Sequence, residues 1–478
     1  MAILTGLQPS GVFEMFEQLC GIPHGSRNTK AISDFCVRFA QEHGLDYRQD
    51  DSNNVILFAP ATPGMEQAQP VMLQGHLDMV CEKEADCPLD LQKEGLNLRT
   101  DGEWIWAEGT TLGGDDGIAV AYALAILEDN TIAHPPLEVI ITVDEEIGML
   151  GATAIDLSML QGRTLVNLDS EEEGIFTVSC AGGATSVISL PVERKAVYGP
   201  CVRLTVDGLQ GGHSGAEIHK NRANANKVMG EYLSRIQKLM PLCLTSFTGG
   251  SKDNAIPRSC QATVVAMGIG IERINDVAAQ LQAEIREKFD EPEASIQAFD
   301  VDALGGNSLT TAATSDVISL LCACPNGVQS YSQDMPGLVQ TSLNLGIAKL
   351  GDQFTATFSV RSSVNQEKEE LIRKLRELTD FYNGTYTQSG TYPAWEFRKD
   401  SPLRDTMVRI YQEMFGKEPQ VLAIHAGLEC GLLGDKLPGL DCVSIGPQMH
   451  DIHTSREKLE IASTERTWNF LLEVLKNL

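Results

Sequence analysis

Short runs of β-forming residues recur along the chain, and each is followed within a few residues by a histidine or a carboxylate. These runs, with the residues that follow them, are Val71–Gln74 (His76), Leu137–Val143 (Glu145 and Glu146), Arg163–Leu168 (Asp169) and Cys442–Ile445 (His453). In open α/β sheets the functional site lies outside the carboxyl ends of the strands. Because several acids and histidines would meet there, the pattern predicts a metal centre at one edge of a sheet.

Along the chain the predicted elements change from an α/β arrangement to an α+β arrangement and back again, which indicates two domains. A chain of 478 residues is also too long for one hydrophobic core. We predict an α/β fold in which a catalytic domain has a mixed, largely parallel sheet flanked by helices. An α+β lid domain, residues 184–394, is inserted into it. The catalytic domain then comprises residues 1–183 and 395–478, and the lid also serves for dimerisation.

Periodicity predicts the elements of both domains. In the catalytic domain the predicted helical segments are Phe13–Glu42, Ile118–Leu127, Pro402–Phe415 and Ser463–Leu475, and further strands are Asn53–Phe58 and Val421–Ile424. In the lid the predicted strands are Ser186–Val192, Val202–Val206, Ala262–Ala266 and Phe354–Val360, and the helices are Arg222–Met240, Ile274–Lys288 and Lys368–Tyr382.

Charge and composition exclude several classes of partner. The formal charge of −28 argues against binding to nucleic acid or to anionic lipid, both of which require a surplus of Lys and Arg. The sequence shows neither a signal peptide nor a run of about 18 apolar residues, so no membrane span is expected. The 12 scattered cysteines favour small core residues in a reducing cytosol over a disulfide framework. We therefore predict a cytoplasmic protein.

The candidate ligands also have simpler interpretations when each is taken alone. His76 and Asp78 point to one side of an extended segment, which suits a metal ligand and its hydrogen-bonding carboxylate, but a surface pair has the same spacing. Taken alone, Asp115 is more typical of an N-cap than of a ligand, and the adjacent Asp116 is the alternative ligand. Asp169 is also typical of a turn.

The Glu145-Glu146 pair is harder to explain as ordinary surface charge. Adjacent carboxylates after a β-branched run repel each other unless cations or water separate them. On an extended segment the two side chains face different ways, so one can bind a metal while the other faces the attacking water. His453 alone could be an ordinary loop histidine. The order in which all of these candidate ligands follow one another along the chain nevertheless favours a metal site.

Seven strings in the sequence resemble one known family. They are VMLQGHLDMV, GTTLGGDDGIA, TVDEEIGMLGA, LVNLDSEEEG, GLQGGHSGAEIH, DNAIPRS and AIHAGLECG. The chain resembles the aminoacyl-histidine dipeptidases, within the di-zinc peptidase group that includes carnosinases and tripeptidase T. The resemblance runs from the first helix to the last.

The resemblance implies a two-metal site and a hydrolytic activity on small peptides. His76 and Asp169 would hold one ion, Glu146 and His453 the other, and Asp115 would bridge them. Relatives often have Asp-Asn where this chain has Asp115-Asp116, so Asp116 stays the alternative bridge. The ions are expected to be Zn²⁺, with Co²⁺ or Mn²⁺ as alternatives, because affinity alone does not choose among them.

The family likeness also assigns roles around the metals. Asp78 would orient His76, and Glu145 would be the general base for a water activated between the ions. In the lid, His213 would stabilise the oxyanion, sometimes across a homodimer interface, while Asn254 and Arg361 would bind the substrate's terminal carboxylate. His425 and Glu429 would line the site, with Glu429 near the free α-amino group.

Three other functions remain open from the sequence. The first is another amidohydrolase of the same scaffold, a tripeptidase or an N-acyl amino-acid deacylase. The second is a phosphoester hydrolase, since two-metal sites also perform that reaction. The third is a catalytically inactive metal-binding module, against which the presence of Glu145 argues.

Overall fold

The computed structural model describes residues 3–268, 270–302 and 305–478. The chain divides into two compact units. The first consists of Met1–Ser179, Phe397–Ala423 and Leu428–Leu478, and the second of Cys180–Glu396 and Ile424–Gly427. The first unit is therefore interrupted in sequence by the second. The lid and dimerisation roles of the second unit stay predictions.

The helices within the described residues are distributed over both units. They are α1 (Ser10–Cys20), α2 (Lys30–Glu42), α3 (Gly114–Glu128), α4 (Leu150–Ala154), α5 (Ala225–Gln237), α6 (Ile271–Phe289), α7 (Thr311–Ala323), α8 (Asn365–Phe381), α9 (Pro402–Phe415), α10 (Glu429–Lys436) and α11 (Ile461–Lys476). A short 3₁₀ helix covers Ile218–Lys220.

The strands form one large sheet in each unit and several small ones. They are β1 (Asp46–Gln49), β2 (Val55–Ala59), β3 (Val71–His76), β4 (Leu98–Thr100), β5 (Trp104–Ala107), β6 (Leu137–Thr142), β7 (Thr164–Asn167), β8 (Ile175–Cys180), β9 (Gly182–Pro191), β10 (Arg194–Tyr198), β11 (Cys201–Asp207), β12 (Gly212–His213), β13 (Leu242–Gly249), β14 (Ala255–Ile256), β15 (Cys260–Ala266), β16 (Ser295–Val301), β17 (Gly305–Leu309), β18 (Gly327–Tyr331), β19 (Val339–Leu350), β20 (Gln353–Ser362), β21 (Thr385–Tyr392), β22 (Gln420–Ile424), β23 (Asp441–Ser444), β24 (Met449–His450) and β25 (Lys458–Glu460).

The large sheet of the first unit is mixed, with a parallel centre. Among the described residues, its strands follow the order β1-β2-β6-β3-β7-β23-β8-β22. Strand β3 pairs in parallel with β6 and β7, and β7 pairs in parallel with β23. Strands β1 and β2 pair antiparallel, as do β2 and β6. The predicted fold class, a largely parallel sheet flanked by helices, is confirmed.

Helix α3 packs directly on the central strand of this sheet. Its residues from Ile118 to Leu127 are apolar and buried on every side, as expected for a helix inside an α/β core. A Cβ atom at Gly75 would lie 2.5 Å from Cβ of Ala119 and 2.6 Å from Oδ2 of Asp116. Glycine at position 75 thus allows α3, and the two aspartates at its start, to approach the end of β3.

The second unit is built on a larger sheet that is antiparallel wherever its pairing is described. Among the described residues, the strands follow the order β16-β11-β15-β13-β19-β20-β9-β21, and β18 pairs with β19 at its side. Helices α5, α6, α7 and α8 supply the apolar side chains that cover this sheet, including Tyr232, Leu281, Leu321 and Leu375. This arrangement is the α+β architecture predicted for the inserted region.

A small sheet in the first unit carries the loop with His453. Its strands follow the order β24-β25-β5-β4 within the described residues. Strands β24 and β25 form a hairpin whose register pairs Met449 with Leu459. Residues 451–457 are the loop of that hairpin. No helix in the described part of the chain combines the length and the apolar character needed to cross a membrane.

Candidate metal centre

The parallel strands of the first unit deliver their polar residues to one edge of the sheet. In the register of β3 and β6, His76 lies opposite Thr142, three residues before Glu145. In the register of β3 and β7, Gln74 lies opposite Asn167, two residues before Asp169. Because neighbouring parallel strands end together, the acids that follow them meet, as the sequence pattern predicted.

Asp115 lies between two histidines that are far apart in sequence. Its Oδ1 is 3.1 Å from Nε2 of His76, and its Oδ2 is 3.1 Å from Nε2 of His453. The same Nε2 of His453 is 2.9 Å from Oε1 of Glu146. Nε2 of His76 is 3.7 Å from Oδ1 of Asp169. Each carboxylate oxygen of Asp115 therefore faces a different histidine, which is the arrangement a bridging ligand needs.

Asp116 has a different environment. Its Oδ2 accepts a hydrogen bond of 3.1 Å from the backbone N–H of His76, and its buried Oδ1 has no hydrogen-bond partner among the described residues. This geometry favours Asp115 over Asp116 as the bridge. Asp116 nevertheless belongs with His76 and Asp169 to one group whose ligand atoms could hold an ion.

Negative charge accumulates in this cluster beyond what its protein partners balance. The ion pairs that Asp115, Glu146 and Asp169 form within the described chain are with His76 and His453. Burial raises the pKa of Asp116 and of Asp169 well above the usual range. Burial likewise raises the pKa of Glu145, to about 8.

The pKa values of the two histidines in this cluster are raised as well. Hydrogen bonds with Asp115 and Glu146 raise the pKa of His453 to about 10. Burial lowers the pKa of His76, but contacts with Asp115, Asp78 and Asp169 outweigh burial and raise it well above its ordinary value. The cluster thus balances its charge with protons, which a divalent cation at the same place would displace.

The donor set fits two divalent ions. Among the described residues, three groups have ligand atoms within 4.8 Å of one another: His76 with Asp116 and Asp169, His76 with Glu145 and Glu146, and Asp115 with Glu146 and His453. Imidazole nitrogen and carboxylate oxygen are the ligand types of zinc and of related first-row ions. Two overlapping groups centred on different histidines are what a dinuclear centre requires.

Asp78 contacts more than the histidine that it was predicted to orient. Nδ1 of His76 is 2.9 Å from the backbone carbonyl of Asp78 and 3.6 Å from its carboxylate. The carboxylate instead accepts hydrogen bonds from the backbone N–H of Glu145 at 3.0 Å and of Glu146 at 3.4 Å, and from the hydroxyl of Ser26 at 2.8 Å. The backbone carbonyl of Asp78 is thus the nearer partner of Nδ1 of His76, while its carboxylate also anchors the backbone of the Glu145-Glu146 segment. That Asp78 orients His76 stays a prediction.

Glu429 lies inside the first unit, in a network of buried side chains. Its Oε2 accepts hydrogen bonds from Nε2 of Gln74 at 2.6 Å and from the hydroxyl of Thr142 at 2.5 Å, while Oε1 has no partner among the described residues. Gln74 in turn accepts a hydrogen bond of 2.5 Å from Asn167. Because Glu429 is fully buried, contact with a substrate amine stays a prediction that these neighbours do not favour.

The second unit presents its own group of polar residues. Nδ1 of His213 accepts hydrogen bonds from the backbone N–H groups of Gly215 at 3.2 Å and Ala216 at 3.1 Å. Burial and the nearby Arg361 lower the pKa of His213. The ring is therefore neutral with its proton on Nε2, so that atom is a hydrogen-bond donor.

His425 and Arg361 lie near His213. A Cβ atom at Gly215 would lie 2.8 Å from the carbonyl oxygen of His425 and 3.0 Å from Cε1 of His213. Nε2 of His425 is 2.7 Å from the hydroxyl of Ser342, and burial together with Arg361 lowers the pKa of His425 to about 4.

The guanidinium of Arg361 donates to the hydroxyl of Tyr392 at 3.3 Å, while its buried Nε has no partner within the described residues. The carbonyl of Asn254 accepts a hydrogen bond of 2.9 Å from the N–H of Ser214, which joins two of the predicted segments. An unsatisfied guanidinium N–H among neutral histidines suits an anionic ligand.

Sequence reasoning missed several residues around the metal cluster. Buried polar contacts are made there by Gln74, Thr142 and Glu457, and Ser26 makes a part-buried one, yet none of the four stands in a distinctive local pattern. For Glu457 the available signal was indirect: the Gly113-Gly114 pair exposes backbone N–H groups that need an acceptor.

Comparisons with known proteins identify the family of the chain. Residues 72–477 match the family described as peptidase family M20/M25/M40. Over 483 aligned residues, the chain is 37% identical to the cytosol non-specific dipeptidase of Escherichia coli (strain K12), with 100% of this chain and 99% of that protein covered. The chain belongs to the M20/M25/M40 peptidase family, and it is a peptide-bond hydrolase.

Solved structures show the same fold. The crystal structure of aminoacylhistidine dipeptidase from Vibrio alginolyticus matches with a TM-score of 0.94 and 34% identity, covering 99% of this chain and 98% of that one. Aminopeptidase PepT from Bacillus cereus ATCC 10987 matches with a TM-score of 0.57 and 15% identity, covering 98% of each chain. The second likeness shows a shared fold alone.

Proposed function

We propose that this chain is a cytoplasmic, metal-dependent dipeptidase whose substrates include Xaa-His dipeptides. The observation that carries the proposal is the position of Asp115, whose two oxygens face His76 and His453 within a cluster of buried carboxylates. The similarity to a cytosol non-specific dipeptidase and to an aminoacylhistidine dipeptidase supports the choice of dipeptides.

The residues of the cluster divide into two ligand sets in this proposal. His76 and Asp169 would hold one ion, Glu146 and His453 the other, and Asp115 would be shared. Zinc is the ion that we propose, with cobalt or manganese as alternatives. Two such ions would polarise the scissile carbonyl and lower the pKa of water.

Glu145 is the proposed general base. Its carboxylate takes a proton from the attacking water and delivers it to the nitrogen of the departing amine. Burial raises the pKa of Glu145 to about 8 in the metal-free chain, and divalent cations beside it would lower that pKa towards neutrality, the range that suits a general base. The side chain of Asp78 would position Glu145 through the hydrogen bond from its backbone N–H.

The second unit would supply substrate-binding groups. Nε2–H of His213 would donate to the oxyanion that forms on the scissile carbonyl, consistent with the acceptor role of its Nδ1. Arg361 and Asn254 would bind the terminal carboxylate, with His425 and Glu429 as further predicted contacts. The buried, unsatisfied Nε of Arg361 supports an anionic partner.

Hydrolysis of a substrate panel tests the proposal. The purified chain, with its metal content measured, is assayed on L-dipeptides including Xaa-His, on tripeptides, on N-acetyl amino acids and on p-nitrophenyl phosphate. We expect the fastest turnover on dipeptides, loss of activity with a chelator and recovery with added zinc. Turnover of acetylated amino acids without any of dipeptides would instead establish the deacylase alternative.

The remaining outcomes separate the other functions. Preference for tripeptides would identify a tripeptidase, and hydrolysis of the phosphate ester would identify a phosphoester hydrolase. Absence of turnover by metal-loaded protein would identify an inactive metal-binding module. We also propose a homodimer, which sedimentation of the purified chain tests directly.

A further inference from the structure

Glu457 has a carboxylate that accepts four hydrogen bonds from consecutive backbone N–H groups. Oε2 accepts from Leu112 at 2.7 Å and from Gly113 at 3.0 Å, and Oε1 accepts from Gly114 at 2.8 Å and from Asp115 at 3.3 Å. The side chain is 3% exposed. Both oxygens are therefore fully occupied by a single turn of the backbone, the one that carries Asp115 into the metal cluster.

The turn that Glu457 holds depends on its two glycines. Gly113 has a φ of +68°, in the left-handed region where glycine is favoured. A Cβ atom at Gly114 would lie 3.3 Å from Oε1 of Glu457 and 3.1 Å from Sδ of Met449. The glycines let the backbone N–H groups converge on one carboxylate, as in other anion-binding turns.

The backbone of Glu457 belongs to the hairpin loop that carries His453. Its own N–H donates to the carbonyl of Thr454 at 3.1 Å, which closes a turn directly after that histidine. His453 itself has a φ of +58°, an uncommon conformation for a residue other than glycine. The neighbouring contacts therefore have to hold this loop in place.

We infer that Glu457 is a positioning residue that fixes the spacing between Asp115 and His453. Nε2 of His453 lies 3.1 Å from Oδ2 of Asp115, and these residues come from segments joined directly by the Glu457 carboxylate. The inference rests on the proposed function, in which Asp115 and His453 hold one ion together with Glu146. Loss of the four hydrogen bonds would let the two ligands move apart and would weaken that metal position more than the other.

A second buried glutamate provides a matched control. Glu138 is 6% exposed and accepts hydrogen bonds from the backbone N–H groups of Gln161 at 2.8 Å and Gly162 at 3.0 Å. It lies near the start of β6, at the opposite end of the strand from Glu145. Glu138→Gln therefore disturbs a comparable carboxylate-to-backbone anchor in the same unit, away from the metal cluster.

The experiment measures zinc binding by the metal-free wild-type chain, Glu457→Gln and Glu138→Gln, using a chromophoric chelator as competitor. In Glu457→Gln the new amide N–H₂ faces backbone donors, so we expect one of the two zinc positions to lose about 10- to 100-fold in affinity. Glu138→Gln should keep both affinities. Excess zinc should restore the dipeptidase kcat of Glu457→Gln, since the chemical groups are intact.

Gly114→Ala is a second variant that keeps the Glu457 charge but crowds its oxygen. It should weaken the same zinc position by a smaller factor, and thermal unfolding of each metal-free variant checks that it folds. Unchanged zinc affinity in a folded variant, Glu457→Gln or Gly114→Ala, would contradict the inference alone, as would an equal loss in Glu138→Gln. Fewer than two ions bound by the wild-type chain would contradict the proposed dinuclear site and the inference with it.

Discussion

The buried carboxylate of Glu429 should make the stability of the metal-free protein fall as the pH rises. Burial raises the pKa of Glu429 from 4.5 to about 7, so the folded chain keeps this proton over a range in which the unfolded chain releases it. Stability therefore decreases between about pH 4.5 and pH 7, because the folded state binds more protons. Replacement by glutamine removes this dependence.

The magnitude follows from the shift in the pKa of Glu429. A shift of one unit corresponds to about 1.36 kcal/mol, so ionised Glu429 costs the folded state about 3 kcal/mol well above pH 7. Glu429→Gln also introduces a buried N–H₂ where Oε1 has no partner, a constant penalty of about 1–3 kcal/mol. That penalty does not change with pH. The stability of the variant relative to wild type should thus improve by about 2–3 kcal/mol between pH 5 and pH 8.5.

Urea unfolding of the chelator-treated proteins measures this difference. Of the four tryptophans, Trp104, Trp106 and Trp468 lie in the first unit with Glu429, so their fluorescence reports the relevant transition. Added zinc should reduce the pH dependence, because cations in the cluster favour the ionised carboxylate. A stability difference between variant and wild type that stays constant from pH 5 to pH 8.5 would refute the reasoning.

Three further substitutions test the roles of individual side chains. Glu145→Ala should lower kcat by about 10²- to 10⁴-fold with KM for a dipeptide near the wild-type value, and near-normal turnover would remove Glu145 from the base role. Asp78→Asn should lower kcat by about 10- to 100-fold while two zinc ions stay bound, since His76 keeps its bond to the backbone carbonyl; loss of an ion would show that the carboxylate orients that histidine after all. His213→Ala should lower kcat by about 10²- to 10³-fold without changing metal content, and an effect confined to KM would contradict a role in stabilising the oxyanion.

The sequence was sufficient for the centre of the first unit because each element there has a strong local signal. The apolar run Ile118–Leu127 lies within α3, and Leu137–Val143 corresponds to β6. The carboxyl ends of β3, β6 and β7 then bring their acids together, since parallel neighbours end at one edge. Local pattern and tertiary arrangement agree at these positions.

Elements that depend on their neighbours were not predictable in the same way. Strand β21 carries polar residues such as Thr385 and Gln388 at the edge of the sheet and pairs with β9, so pairing rather than hydrophobic alternation defines it. Strand β19 has an irregular register between Leu345 and Ile347, where Gly346 lies against the backbone of Asp253. The bulge interrupts the alternation that a period of two would show.

The first segment also divided where the sequence suggested continuous helical spacing. Helix α1 ends at Cys20 and α2 begins at Lys30, with Pro23 and two glycines between them.

The contacts of Glu457 and Glu429 could not be predicted from the sequence for another reason. Their partners lie hundreds of positions away in sequence, and acid residues of this kind are mostly solvated.

The interrupted first unit has a consequence for synthesis of the protein. The ribosome must add the whole second unit after Asp169 before His453 exists, which at roughly 5–20 residues per second takes on the order of tens of seconds. During that interval the nascent chain contains the carboxylates of the candidate site but lacks His453, whose Nε2 faces Oδ2 of Asp115 in the complete protein. In the proposed site, the second histidine would therefore become available only after the hairpin of β24 and β25 has been synthesised.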